Sequence, residues 1–89
     1  MSAWIATFHF TVGITKTDGI DLMCRVTIPF IPQKGMMMAV FKGDDLHEVG
    51  DVMWYAGNPF NIDVFFKEEA LFGKHLLSGA LKLGWMEGV

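Results

Sequence analysis

A mainly β domain of the α+β class is what this sequence predicts: a bent antiparallel five-strand meander or small partly closed barrel, with one C-terminal helix. Three observations predict it. Residues 20–28 read IDLMCRVTI, in which Ile20, Leu22, Cys24, Val26 and Ile28 alternate with Asp21, Met23, Arg25 and Thr27, the period-two pattern of a strand buried on one side. Clusters of Gly, Pro, Asn and Asp punctuate the chain at short intervals, so successive strands are expected to be joined tightly and to neighbour one another. Past residue 67 the apolar spacing changes to that of a helix.

The first strand spans residues 3–12, with Trp4, Ala6, Phe8, Phe10 and Val12 on one face and Ile5, Thr7, His9 and Thr11 on the other. A loop over 13–19 ends in Asp18-Gly19, a turn signal that feeds the second strand at 20–28 as an antiparallel hairpin. Pro29 and Pro32 then lack ladder donors, so residues 29–35 should leave the sheet and round its edge. Residues 36–42 form a third strand, apolar on both faces, and Gly43-Asp44-Asp45 a polar turn. In the fourth strand, 46–55, Val49 is out of step with Val52 and Trp54, which predicts a bulge at Gly50-Asp51. After a turn at 56–59, Phe60, Ile62, Val64 and Phe66 alternate with Asn61, Asp63, Phe65 and Lys67 in a fifth strand.

The tail, 68–83, is read as an amphipathic helix. Phe72, Leu76, Ala80 and Leu83 share a face with Leu77 and Leu81 beside them, acidic residues open it, Lys82 closes it, and Gly84 marks its stop. Gly73 and Gly79 would each cost about 1 kcal/mol inside a helix, so the competing reading is a Ser78-Gly79 turn between two more short strands. The helix's apolar arc is wider than one sheet needs. The excess points to a second surface, with Leu77 and Leu81 as its contacts.

All 89 residues fit one domain, 1–89, and 52% are hydrophobic, high for a short soluble chain. That surplus predicts a homo-oligomer, most simply a dimer, or a contact with another protein. A net charge of -3 and basic residues scattered singly, only one of them arginine, argue against nucleic acid as partner. One cysteine, a start without a secretory pattern and no apolar run of membrane length lead to an expected cytoplasmic location with no membrane partner.

Candidate chemistry is sparse. Cys24 shares the apolar face of its strand and reads as a buried, inert thiol; His9 reads as a solvated histidine, with no carboxylate nearby in sequence to orient it. The densest polar group is Asp44, Asp45, His47, Glu48 and Asp51, the right ligand types for a divalent metal. Its spacing matches neither an EF-hand loop nor a paired-histidine helix, so a solvated acidic turn guarding a sheet edge is the simpler account. No nucleophile elbow and no phosphate-cradling glycine pattern occurs, and no cofactor is expected. Phe30 and Ile31, held between prolines, either fold over the open end of the sheet as a plug or form a stiff knob for a partner's pocket, and Met23 and Phe65 add a small apolar patch.

The function these features favour is a non-enzymatic structural or protein-interaction protein, self-associating or a small subunit of an assembly. The alternative is a small β-barrel module that binds a ligand or single-stranded nucleic acid on sheet aromatics such as Trp54, Tyr55 and Phe65.

Overall fold

The two best alternating segments pair first. In the computed structural model, which describes residues 3–13, 19–44, 46–67 and 74–88 with helix side chains from 77 onward, β1 (Trp4–Gly13) and β2 (Gly19–Ile28) form an antiparallel hairpin from Trp4↔Ile28 to Gly13↔Gly19. Their in-phase alternation puts Ala6, Phe8, Val12, Leu22, Cys24 and Ile28 into one buried face. As expected from its prolines, the chain leaves the ladder after Ile28.

From there the topology departs from a meander. β3 is only Met37–Met38, and it pairs with β4 (His47–Tyr55) rather than with β2. β4 turns tightly through Ala56-Gly57 into β5 (Asn58–Phe66), and β5 lies alongside β1 in parallel, Ile62 beside Ala6 and Val64 beside Phe8. The chain closes with α1 (Lys74–Leu83) and β6 (Met86–Glu87), which adds to β2. The sheet is therefore six-stranded and mixed, in the order β3-β4-β5-β1-β2-β6, curled into a half-barrel with one helix. The mainly β fold with one helix stands, and the purely antiparallel five-strand meander is corrected. The reason is packing: β5 brings an apolar stripe of the same phase as β1, and the proline corner has already carried the chain away from β2's edge.

Two local expectations also change. The apolar run 36–42 is a two-residue edge strand rather than one covered on both faces; Met36 and Met37 remain exposed, and Phe41 turns inward against Trp85. Phe30 does not plug the half-barrel, for it is 42% exposed, whereas Pro32 is buried and Ile31 packs half-buried on the core. The bulge is where the alternation broke, between Val49 and Asp51. At Gly50 the backbone of Phe65 and Lys67 comes within 3.2 Å of where a Cβ would stand, so a side chain there would push the strands apart.

The helix is formed over Lys74–Leu83, which removes the two-strand alternative for that segment; residues 68–73 of the expected helix lie outside the described residues. Ala80 is buried, and Leu77 and Leu83 pack half-buried on the sheet. Trp85, just past the helix, completes the core among Phe10, Phe41, His47 and Phe66.

Candidate functional site

Curling leaves one end of the half-barrel uncovered. On the concave face Trp54 pairs across β4 and β5 with Ile62, which is flanked by Ala6 of β1. Further out, Trp4 of β1 pairs with Ile28 of β2, and the β4–β5 register shifts so that Tyr55 faces Asn58. Helix and Trp85 close the opposite end, so at the hairpin end Trp54 is 60% and Phe60 58% exposed. Met53 and Tyr55, on the convex face of the same strand, are also exposed. The polar atoms of these rings are already bonded: Trp54 Nε1 donates to the Pro59 carbonyl at 2.7 Å, and Tyr55 Oη donates to Asp63 Oδ2 at 2.6 Å. Bonded tips fix both ring planes, and they present apolar surface without asking a partner for hydrogen bonds.

Behind Tyr55 lies a polar chain that strand periodicity could not reveal. His9 Nε2 and Asp63 Oδ1 are 3.0 Å apart, and the His9 ring stacks on Phe65 at 4.6 Å between centroids. The parallel β1–β5 pairing brings these residues together from 54 positions apart. Partial burial pushes the Asp63 carboxyl up, but hydrogen bonds from Tyr55 and His9 and the charges of His9 and Arg25 outweigh it and hold the group below its ordinary value of 3.8. The same bond, then burial and the Asp63 charge, raises Tyr55 above 10.0. His9 and Phe65 also border an open cleft of about 960 Å³ whose charges, Lys34 and Lys67 against Asp21, Glu48 and Asp51, are of both signs. A carboxylate orienting an imidazole is half of a catalytic set. Cys24, however, faces the other side of the sheet, where burial first and the Asp44 charge second push its thiol up to about 12, so it does not serve His9 as a nucleophile.

A depressed carboxyl contributes stability in full above its unfolded value and loses it as pH falls through its folded value. Thermal midpoints of the wild type should therefore drop more steeply than those of Asp63→Asn as pH falls below about 4, while near neutral pH the substitution costs about 1 kcal/mol. Tyr55 has the opposite sign, since the fold favours its neutral phenol: its contribution is present below pH 10 and is lost as pH rises further, and Tyr55→Phe removes that alkaline limb.

The acidic cluster read from the sequence does not converge. Asp44 and His47 come together, with Nε2 and Oδ1 3.4 Å apart, but they are buried rather than solvated, because Trp85 donates Nε1–H to the other Asp44 oxygen at 3.2 Å and Phe10 and Phe66 flank the imidazole. Glu48 faces Lys67 at 3.6 Å, Asp51 is exposed beyond the bulge, and Asp45 lies outside the described residues. Among the described residues no three His, Cys, Asp or Glu side chains are grouped as metal ligands. Of the expected partner contacts, Phe30 and Leu81 are exposed, whereas Ile31 and Leu77 turn half-buried onto the core. Among the described residues no helix is long and apolar enough to cross a membrane. No family model matches the chain, no curated protein matches it significantly, and no solved structure does.

Proposed function

We propose that the chain is a non-enzymatic interaction module that self-associates through the aromatic end of the β4–β5 hairpin. One observation carries this reading: at the β4–β5 hairpin Trp54, Phe60, Met53 and Tyr55 are all exposed, Met53 and Tyr55 on the face opposite Trp54, with the indole and phenol hydrogen bonds made internally. Rigid aromatic anchors that bury no orphaned polar atom are what dominate protein–protein contacts, where a few such residues carry most of the free energy. The surplus apolar content of the sequence has the same explanation, since Trp54 and Phe60 belong by phase to the core face yet stay outside the core.

Sedimentation velocity at micromolar concentrations tests it. The wild type is expected to sediment as an oligomer, most simply a dimer. The Trp54→Ser/Phe60→Ser pair, which removes the exposed Trp54–Pro59 hydrogen bond but no buried side chain, should weaken association by about tenfold or more while leaving the circular dichroism spectrum intact. A wild-type chain that remains monomeric throughout the range would overturn the reading.

A further inference from the structure

Self-association by this hairpin can occur face to face or edge to edge, and the backbone distinguishes them. β3 and the turn before it cover only the start of β4: Met37 and Met38 pair with Glu48 and His47, and Val49 exchanges hydrogen bonds with Gly35 and Met36. Beyond Val49, β5 satisfies one side of residues 51–55, and among the described residues nothing pairs with the other. A bare edge is ordinarily guarded by charge, proline or a bulge. The other edge of the sheet is so guarded, since β6 and the Gly88 N–H cover Asp21, Leu22 and Met23, and the rest of β2 exposes Arg25 and Thr27 and ends at Pro29. The bare part of β4 instead runs Asp51-Val52-Met53-Trp54-Tyr55, with a single charge at its start and regular pairing to β5 from Asp51 to Trp54, between the register shift at Val49/Asp51 and the one at Trp54/Tyr55.

Resting on the self-association proposed above, we infer that residues 51–55 of two copies pair antiparallel about a two-fold axis at Met53, joining two half-barrels into one continuous sheet. The register follows by elimination. Directly opposed residues in an antiparallel pair share a face, so the axis must pass through a residue rather than between two. An axis at Val52 would set Tyr55 against the partner's Val49, whose outer hydrogen bonds are already taken. An axis at Trp54 would run the partner's Val52 against Ala56 in the turn. An axis at Met53 uses the whole bare stretch: Trp54 meets the partner's Val52 on the concave side, and Tyr55 meets the partner's Asp51 on the convex side. The exposed Trp54 rings then extend the apolar trough across both copies.

Met53 meeting itself gives the test. Met53→Cys, exposed to oxidised glutathione as the two-electron acceptor, should form a disulfide-linked dimer at least about tenfold faster than Met86→Cys, which is 58% exposed on the sheet's opposite edge. Buried Cys24 stays out of the reaction. In the wild type, amide exchange within residues 51–55 should slow as concentration rises. If the protein sediments as an oligomer but Met53→Cys cross-links no faster than Met86→Cys, or amide exchange in that strand ignores concentration, the edge pairing is overturned while self-association stands. If wild type and both variants sediment as monomers, both readings fall.

Discussion

Trp85→Ala is expected to lower unfolding stability by about 3–5 kcal/mol, more than other single truncations in the chain. Trp85 is 2% exposed, and its ring meets Phe10 edge-on at 4.6 Å and Phe41 at 5.9 Å, so it joins the last turn of the helix to β1 and to the segment after β3. Truncation leaves a large cavity that these side chains, fixed in strands and corners, refill poorly. It also removes the Nε1–H bond to Asp44, within a pocket where Asp44 faces His47. Trp85→Phe separates the two effects: it retains most of the volume and should cost about 1–3 kcal/mol, mainly for the lost donor to a charged acceptor. An 89-residue domain has a total stability of roughly 5–13 kcal/mol, so Trp85→Ala should remove at least about a quarter of it and lower the urea midpoint in proportion. An unfolding free energy within about 1 kcal/mol of wild type would mean that Trp85 is not what fastens the helix to the sheet.

The same pocket explains why Asp44 and His47 are buried, against the usual tendency of such residues. A buried imidazole flanked by Phe10 and Phe66 needs a partner for its ring nitrogen, and a buried indole needs an acceptor; Asp44 serves both. The carboxylate therefore ties the turn after β3 to β4 and to the segment that follows the helix. At 3.4 Å the histidine contact is long, and the shorter indole bond holds the geometry more firmly.

What the sequence revealed divides along a physical line. Facing was legible: the alternation of Ile20, Leu22, Cys24, Val26 and Ile28 placed Cys24 inside, the break at Val49 located the bulge, and Pro29 and Pro32 marked the corner. Neighbourhood was not, because a period of two says which face a residue takes but not which strand lies beside it. β5 can pair with β1 in either direction on its pattern alone, so His9 and Asp63 looked unrelated. Asp44 looked solvated because its cover, Trp85, arrives from 41 residues away. For Trp54 and Phe60, phase predicted burial; they lie past the point where the helix covers the sheet, and that limit depends on helix position rather than strand pattern.

Gly84→Ala should cost about 2–3 kcal/mol, an unusual penalty for adding one exposed methyl group. Gly84 has φ +124°, a conformation open to glycine and strained for alanine. Its N–H reaches the Leu81 carbonyl at 3.3 Å while the Trp85 N–H reaches Ala80 at 3.1 Å, the paired bonds of a glycine-terminated helix. A Cβ would also stand 3.1 Å from the Phe41 ring, which packs edge-on against Trp85 and must shift slightly to admit it. The two sources of cost separate in a double-mutant cycle, because Phe41→Ala removes the ring but not the backbone strain. Gly84→Ala should then cost about 1 kcal/mol less in the Phe41→Ala background than in the wild type. Equal costs in both backgrounds would place the whole penalty in the backbone. A neutral Gly84→Ala would show that the turn does not hold Trp85 in the core, and the large loss expected of Trp85→Ala would then need a different anchor.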